Sequence, residues 1–235
     1  MQVEHDCFEL TLEREGRRPM RYEDRTRLHD PDRLEFESGV ERLDDGVYHV
    51  AVLTPMRDVT GAMLAWWFGT YMQTTEHYKM WHPRDHVWMD WENKSPGTHV
   101  GGHHLVHEYL GGQLQKLRIS FLDPVENMGP EAKAPGRLFV CAQVGVLGRP
   151  IKIARMVHAA YDTAWGCELR SHFWMGLVES EQLGGLVQRI ANTRWARGRT
   201  VTHAAAQALE AHCHEEMSNL ARFLPALYAR EGQGD

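Results

Sequence analysis

Near the end of the chain the run HCHEEM, residues 212–217, sets two histidines and two glutamates within five positions. His212 and Glu216 are one helical turn apart, so on a helix they share a face and can chelate one ion. Stepping by threes and fours puts Ala205, Leu209, His212, Glu216, Leu220, Phe223 and Leu227 on one stripe. His203, Gln207, Glu210, His214, Ser218 and Arg222 fall opposite, so His214 and Glu215 are expected to point away from the core. An ionised glutamate on an apolar stripe is costly unless paired or bound to metal. The plain alternative is a helix hydrogen bond at the rim of the core.

Two further clusters could meet that stripe. As a strand, HHLVHEYL (103–110) puts His104, Val106 and Glu108 on one face. His103, Leu105, His107 and Tyr109 take the other, so both faces are polar, which is unusual for a core strand. EHYKMWHPRDH (76–86) supplies His77, His82, Asp85 and His86. Spacing alone does not select the histidine of each cluster that reaches the helix. Imidazoles with carboxylates make a nitrogen and oxygen set suited to Zn2+, with Fe2+ and Mn2+ as neighbouring options.

The elements that must position these groups follow from patterning. Residues 1–45 are dense in charge and are expected to form short helices or turns that pack on the main domain or on a partner chain. Residues 46–235 are then the main domain. GVYHVAVLTPM (46–56) reads as a strand rich in β-formers. Thr60 can cap an apolar helix over 61–72, and a second helical turn follows through TTEHYKMW until Pro83. From residue 86 to 178 the chain alternates like about six strands separated by Gly and Pro clusters. Thr200 or Thr202 can cap a long helix from about Val201 to Leu224, which Pro225 kinks or ends. This order predicts an α+β domain in which a curved antiparallel sheet grips a long C-terminal helix.

Composition narrows the function classes. The 235 residues are 43% hydrophobic and 25% charged, the balance of an ordinary globular protein. A net charge of −6 argues against a nucleic-acid partner. No apolar run suggests a leader or a membrane span. Cys7, Cys141, Cys167 and Cys213 lack metal-finger or redox spacing, so a reducing cytoplasm is the expected setting. Eight tryptophans, Trp66, Trp67 and Trp81 among them, could wall an aromatic cavity or simply fill the core.

Taken together, WWFGTYMQTTEHYKMWHPRDH, GGHHLVHEYLGG, RSHFWMG and HCHEEM resemble the 2,4-diacetylphloroglucinol hydrolase family over about residues 46–224. Phloretin hydrolases are relatives. The resemblance implies a zinc-dependent hydrolase that removes an acyl group from a polyphenol by C–C cleavage. It implies a helix-grip fold, like the birch pollen allergen and START domains, with a smaller N-terminal part involved in homodimers. It places the metal on His77, Glu108, His212 and Glu216; the helix stripe selects the last two independently. It gives catalytic roles to Asp85 and to a sheet histidine, His158, with His172 the weaker option. A substrate-side tyrosine of the family falls near Phe173, so one hydroxyl contact is missing and the substrate is in question. Tyr71 and Tyr78 stand as candidates for phenol contacts. The implied partner is a small acylated phenol, with no nucleic acid and no membrane. Two rivals are a ligand carrier on the same fold and a non-haem iron oxygenase, which needs two histidines and only one carboxylate.

Overall fold

The computed structural model of the protein describes residues 18–232. Eight strands form one antiparallel sheet: β1 Gly39–Arg42, β2 Tyr48–Arg57, β3 His86–Glu92, β4 His103–Leu110, β5 Gln113–Leu122, β6 Arg137–Val146, β7 Lys152–Thr163 and β8 Gly166–Glu179. Their spatial order is β1-β2-β8-β7-β6-β5-β4-β3. The strand not foreseen, β1, comes from the polar lead-in. The β4–β5 hairpin closes through Gly111 and Gly112 between the paired residues Leu110 and Gln113. Both glycines have positive φ, 58° and 77°, the backbone that a two-residue turn demands. Pro55 is tolerated in β2 because β1 pairs only with residues 48–51, which leaves the other edge open there.

The inner face of the sheet holds the long helix. In chain order, α1 is Gly61–Trp66, continued by a single π-helical turn Trp67–Tyr71, and α2 is Thr75–Trp81. Thr60 caps α1 by accepting from the Met63 N–H at 3.3 Å, and Thr74 caps α2 from the His77 N–H at 3.3 Å. The short α3, Pro124–Met128, links β5 to β6. Two helices with no counterpart in the sequence reading, α4 Gly185–Ala191 and α5 Arg194–Thr200, precede the last one. Their large apolar residues Leu186, Val187, Ile190 and Trp195 are exposed, so no core-facing stripe announces them.

The final helix, α6, runs His203–Glu231 with Thr202 as its cap. Pro225 neither ends it nor marks its boundary: Leu220, Leu224 and Leu227 are buried on both sides and packing carries the helix through. The buried stripe is Ala206, His212, Cys213, Glu216, Met217, Leu220, Leu224 and Leu227. Ala205 is exposed and Ala206 takes its place, because the face that packs is centred slightly to one side of the expected line.

The outer face is covered by the described part of the lead-in, with 3-10 turns at Tyr22–His29 and Pro31–Arg33. Met20 and Leu28 are buried there with Val47, Phe139, Val157 and Trp174. The Trp174 indole donates to the Met20 carbonyl at 2.7 Å, and the Met20 N–H donates to His49 Nδ1 at 3.1 Å. Cys141, Cys167 and Cys213 are free and buried, whereas Cys7 and the N-terminal run lie outside the described residues. Among the described residues no helix is long and apolar enough to cross a membrane.

Candidate metal centre

The end of α2, the start of β3, strand β4 and helix α6 converge on the inner side. His86 opens β3, where a register shift between His86 and Trp88 interrupts the pairing with β4. Its Nδ1 lies 2.8 Å from the Tyr78 carbonyl. A carbonyl only accepts, so Nδ1 carries the proton and Nε2 keeps its lone pair. That lone pair faces His212 Nε2 at 3.3 Å and Glu216 Oε2 at 3.5 Å. Glu108 Oε2 is 4.0 Å from the same nitrogen. His212 Nε2 and Glu216 Oε2 are 3.8 Å apart along the helix. One ligand atom from each of His86, His212 and Glu216 fits within 4.8 Å of the others.

Neighbouring groups hold these side chains. The Tyr78 ring lies on the His86 ring at 3.6 Å between centroids and 7° between planes. Its hydroxyl donates to Glu108. His82 stacks on His212 at 4.6 Å and 3°. Asp85 Oδ2 stands 3.5 Å from His212 Nδ1 and 3.6 Å from His82 Nε2, so Asp85, His82 and His212 form a second, overlapping cluster.

The electrostatics suit a dication at this position. Burial lowers His86 to about 4 and His82 to about 4, so both rings are neutral and able to donate electron pairs. Burial pushes Glu216 up to about 8; His212 opposes the rise and the Glu108 charge adds to it. Among the described residues, the ion pairs of Glu108 and Glu216 are to histidines alone. Two buried carboxyl groups and two imidazoles without a cationic side chain are a costly arrangement that a divalent ion resolves. A donor set of two nitrogens and two carboxylates could hold a divalent metal ion.

The structure therefore brings together Glu108, His212, Glu216 and Asp85 from the expected residues, and Tyr78 with them. It does not bring His77. That ring stacks on Tyr71 at 4.3 Å, and its Nδ1 bonds the Tyr71 carbonyl at 2.8 Å. His86, not His77, stands beside His212 and Glu216. Tyr71 itself is tied to Glu231 at the end of α6 and packs on Trp66 and Trp67. His158, on β7, is buried on the inner face, with Nδ1 2.8 Å from Ser171 Oγ and its ring beside Phe68 and Phe173. Phe173 is inner, but its neighbour His172 points to the outer face, where it bonds His49 at 2.9 Å. Strand alternation accounts for the split, since His172 pairs with Val157 and Ser171 with His158. His82 and His86 stand among the sequence candidates of their cluster, and only the fold chooses between them and His77; Ser171 the sequence reading did not name, because a serine on a strand carries no signal of its own.

Residues 20–229 match the family described as the DAPG hydrolase PhiG domain. A phloretin hydrolase of Eubacterium ramulus is 30% identical over 200 residues, covering 80% of this chain and 69% of its own. A 2,4-diacetylphloroglucinol hydrolase of Pseudomonas sp is 27% identical over 233 residues, covering 89% of this chain and 76% of its own. A solved structure, Ara h 8.0201, aligns over 77% of this chain and 99% of its own at 9% identity and a TM-score of 0.47. With a family match over nearly the whole described length, the chain belongs to the DAPG hydrolase PhiG domain family.

Proposed function

We propose that this chain is a metal-dependent hydrolase acting on an acylated, polyhydroxylated aromatic ring of the diacetylphloroglucinol or phloretin kind. It cleaves the C–C bond between acyl group and ring and releases a carboxylic acid and a phenol. The observation that carries the reading is the convergence of His86, Glu108, His212 and Glu216 in a buried position, in a member of this family. We assign these four as the ligands and Zn2+ as the ion. A dication there supplies Lewis-acid polarisation of an acyl oxygen and makes water more acidic, toward a pKa of ~7.

The chain's own groups do the rest. The Tyr78 carbonyl fixes the His86 tautomer, and the Tyr78 hydroxyl orients Glu108. Asp85 orients the His212 and His82 rings. A ring carbon leaves poorly unless the acyl-bearing carbon is first protonated; hydroxyl groups ortho and para to it permit this, because the keto form resembles a β-diketone. The site must therefore provide a proton and hydrogen bonds to the ring oxygens, the work we assign to His158 and Asp85. Phe68 and Phe173 flank His158 with apolar surface that suits an aromatic substrate. The reading takes the protein as a cytoplasmic homodimer, which sedimentation of the purified chain tests for its oligomeric part.

Purified protein incubated with acylated phloroglucinols and with phloretin is expected to release the free acid. Chelator should abolish the release and zinc restore it. No acid from any member of the panel with zinc-saturated protein would overturn the reading.

A further inference from the structure

Two buried histidines lie outside the proposed ligand set and leave ring nitrogens unpaired. His104 is on β4, on the face of Val106 and Glu108, and all three are buried. His99 is buried on the connection between β3 and β4. Among the described residues the Nε2 atoms of His99 and His104 have no hydrogen-bond partner. Burial holds both rings neutral, lowering His99 to about 4 and His104 to about 3. A neutral imidazole has one donor and one acceptor to satisfy, and leaving either unmet in the interior is costly.

Both belong to a line of aromatic rings that links the metal centre to His158, contact by contact. His104 meets Tyr78 edge-on at 5.3 Å between centroids, and Tyr78 lies on His86. On its other side His104 stacks with Trp91 at 4.8 Å. Phe121 is 5.7 Å from Trp91 and 5.0 Å from His99. His99 meets Phe68 at 6.2 Å, and Phe68 faces His158 at 6.1 Å and 17°. The segment that carries His99 is seated on the π-helical turn. Lys94 donates to the Gly69 carbonyl at 2.5 Å. A Cβ at position 69 would stand 2.9 Å from the Gly97 carbonyl oxygen, so a glycine there permits the close approach.

Ring faces combined with unpaired imidazole edges define a class of ligand. The faces suit a flat aromatic ring. The edges suit hydroxyl groups, because a hydroxyl both donates and accepts and so pairs with either tautomer. We propose that His99 and His104 are specificity-determining residues that hydrogen-bond the hydroxyl groups of a polyhydroxylated aromatic ring. The assignment rests on the hydrolase reading for its place in catalysis, but not for the class of ligand. A ring with several hydroxyl groups needs more polar contacts than His158 and Asp85 offer, and Phe173 adds none.

The test is calorimetric titration of the zinc-loaded full chain with phloroglucinol. His99→Phe and His104→Phe keep an aromatic face and remove the nitrogens. Each should weaken binding roughly fivefold to tenfold, the scale of one hydrogen bond, and raise KM for acylated phenols by a similar factor with a smaller change in kcat. The unfolding midpoints of the ligand-free variants should stay level or rise, because an unmet polar group has gone. His107→Phe, on the other face of β4 beside Trp88, should bind as the wild type does. Unchanged affinity in both variants, with lowered midpoints, would show two core histidines with a structural role and overturn the proposal. So would an equal loss in His107→Phe. Nitrogen-15 NMR of the wild type labelled at histidine decides the matter should a variant fail to fold. Phloroglucinol should shift the ring nitrogens of His99 and His104 and leave those of His107 in place; unmoved His99 and His104 signals would sink the idea. Acid release by the wild type with KM unmoved in both variants would overturn this assignment and leave the hydrolase reading standing. Phloroglucinol binding that depends on both histidines, in a wild type that deacylates nothing, would count against the hydrolase reading alone.

Discussion

The Tyr78 hydroxyl donates to the Glu108 carboxylate while the Tyr78 ring lies flat on His86, centroids 3.6 Å apart. One side chain of α2 therefore steadies two candidate ligands from two different strands. Tyr78→Phe keeps the stacking and removes the hydrogen bond. We expect zinc affinity, measured by competition with a chelator, to fall roughly tenfold to a hundredfold. The unpaired Glu108 oxygen should cost about 1–3 kcal/mol of stability in denaturant unfolding. Wild-type affinity in Tyr78→Phe would show that the hydroxyl does not tune the site.

The geometry separates His86 from His77. His86→Ala should lose bound metal after dialysis, read by elemental analysis, and lose deacylation with it. His77→Ala, whose ring sits on Tyr71, should retain both. The opposite pattern would return the ligand role to His77.

Glu216 is a buried carboxyl whose ion pairs, among the described residues, are to histidines alone, so burial favours its protonated form unless a dication is bound. Glu216→Leu should therefore abolish zinc binding yet leave metal-free protein as stable as, or more stable than, the metal-free wild type. Zinc should raise the wild-type Tm and leave that of Glu216→Leu unmoved. At a hundredfold excess over Kd the stabilisation amounts to about 2.7 kcal/mol. A zinc-dependent Tm in the variant would contradict the ligand assignment.

Acid should loosen the outer face before it harms the sheet. Burial lowers His49 to about 3 and His172 well below its ordinary value, with His49 and Arg170 pressing His172 further down. Both rings bind protons more readily in the unfolded chain. Their contribution is fully present above the unfolded pKa of ~6.5 and is lost as pH falls toward and through the folded values. From pH 7 to pH 5 His49 alone should remove about 2 kcal/mol, seen as a falling urea midpoint. A midpoint that stays level across that interval would refute the buried neutral pair.

Much of this site could be read from patterning because helices and strands have fixed periods. His212 and Glu216 follow from steps of three and four, whereas alternation only sets Glu108 on the face of His104 and Val106, and the resemblance selects it. His86 escapes such rules. It lies just after Pro83, where α2 ends and a register shift opens β3, and no period crosses that junction. His172 fails for the opposite reason: its neighbours Ser171 and Phe173 face inward, so alternation alone sends it outward. Helices α4 and α5 carry their apolar residues toward the exterior, and the period that reveals a helix is a period of burial. Pro225 shows the limit of local propensity, since buried leucines on either side outweigh one lost backbone hydrogen bond.

His86 and His212 are 126 residues apart, and Glu108 belongs to the first half of the chain. During synthesis the strands can assemble before α6 emerges, but the proposed four-ligand set is complete only once α6 has joined them. On the proposed ligand set, a chain cut before residue 203 lacks His212 and Glu216 and would be unable to hold the ion.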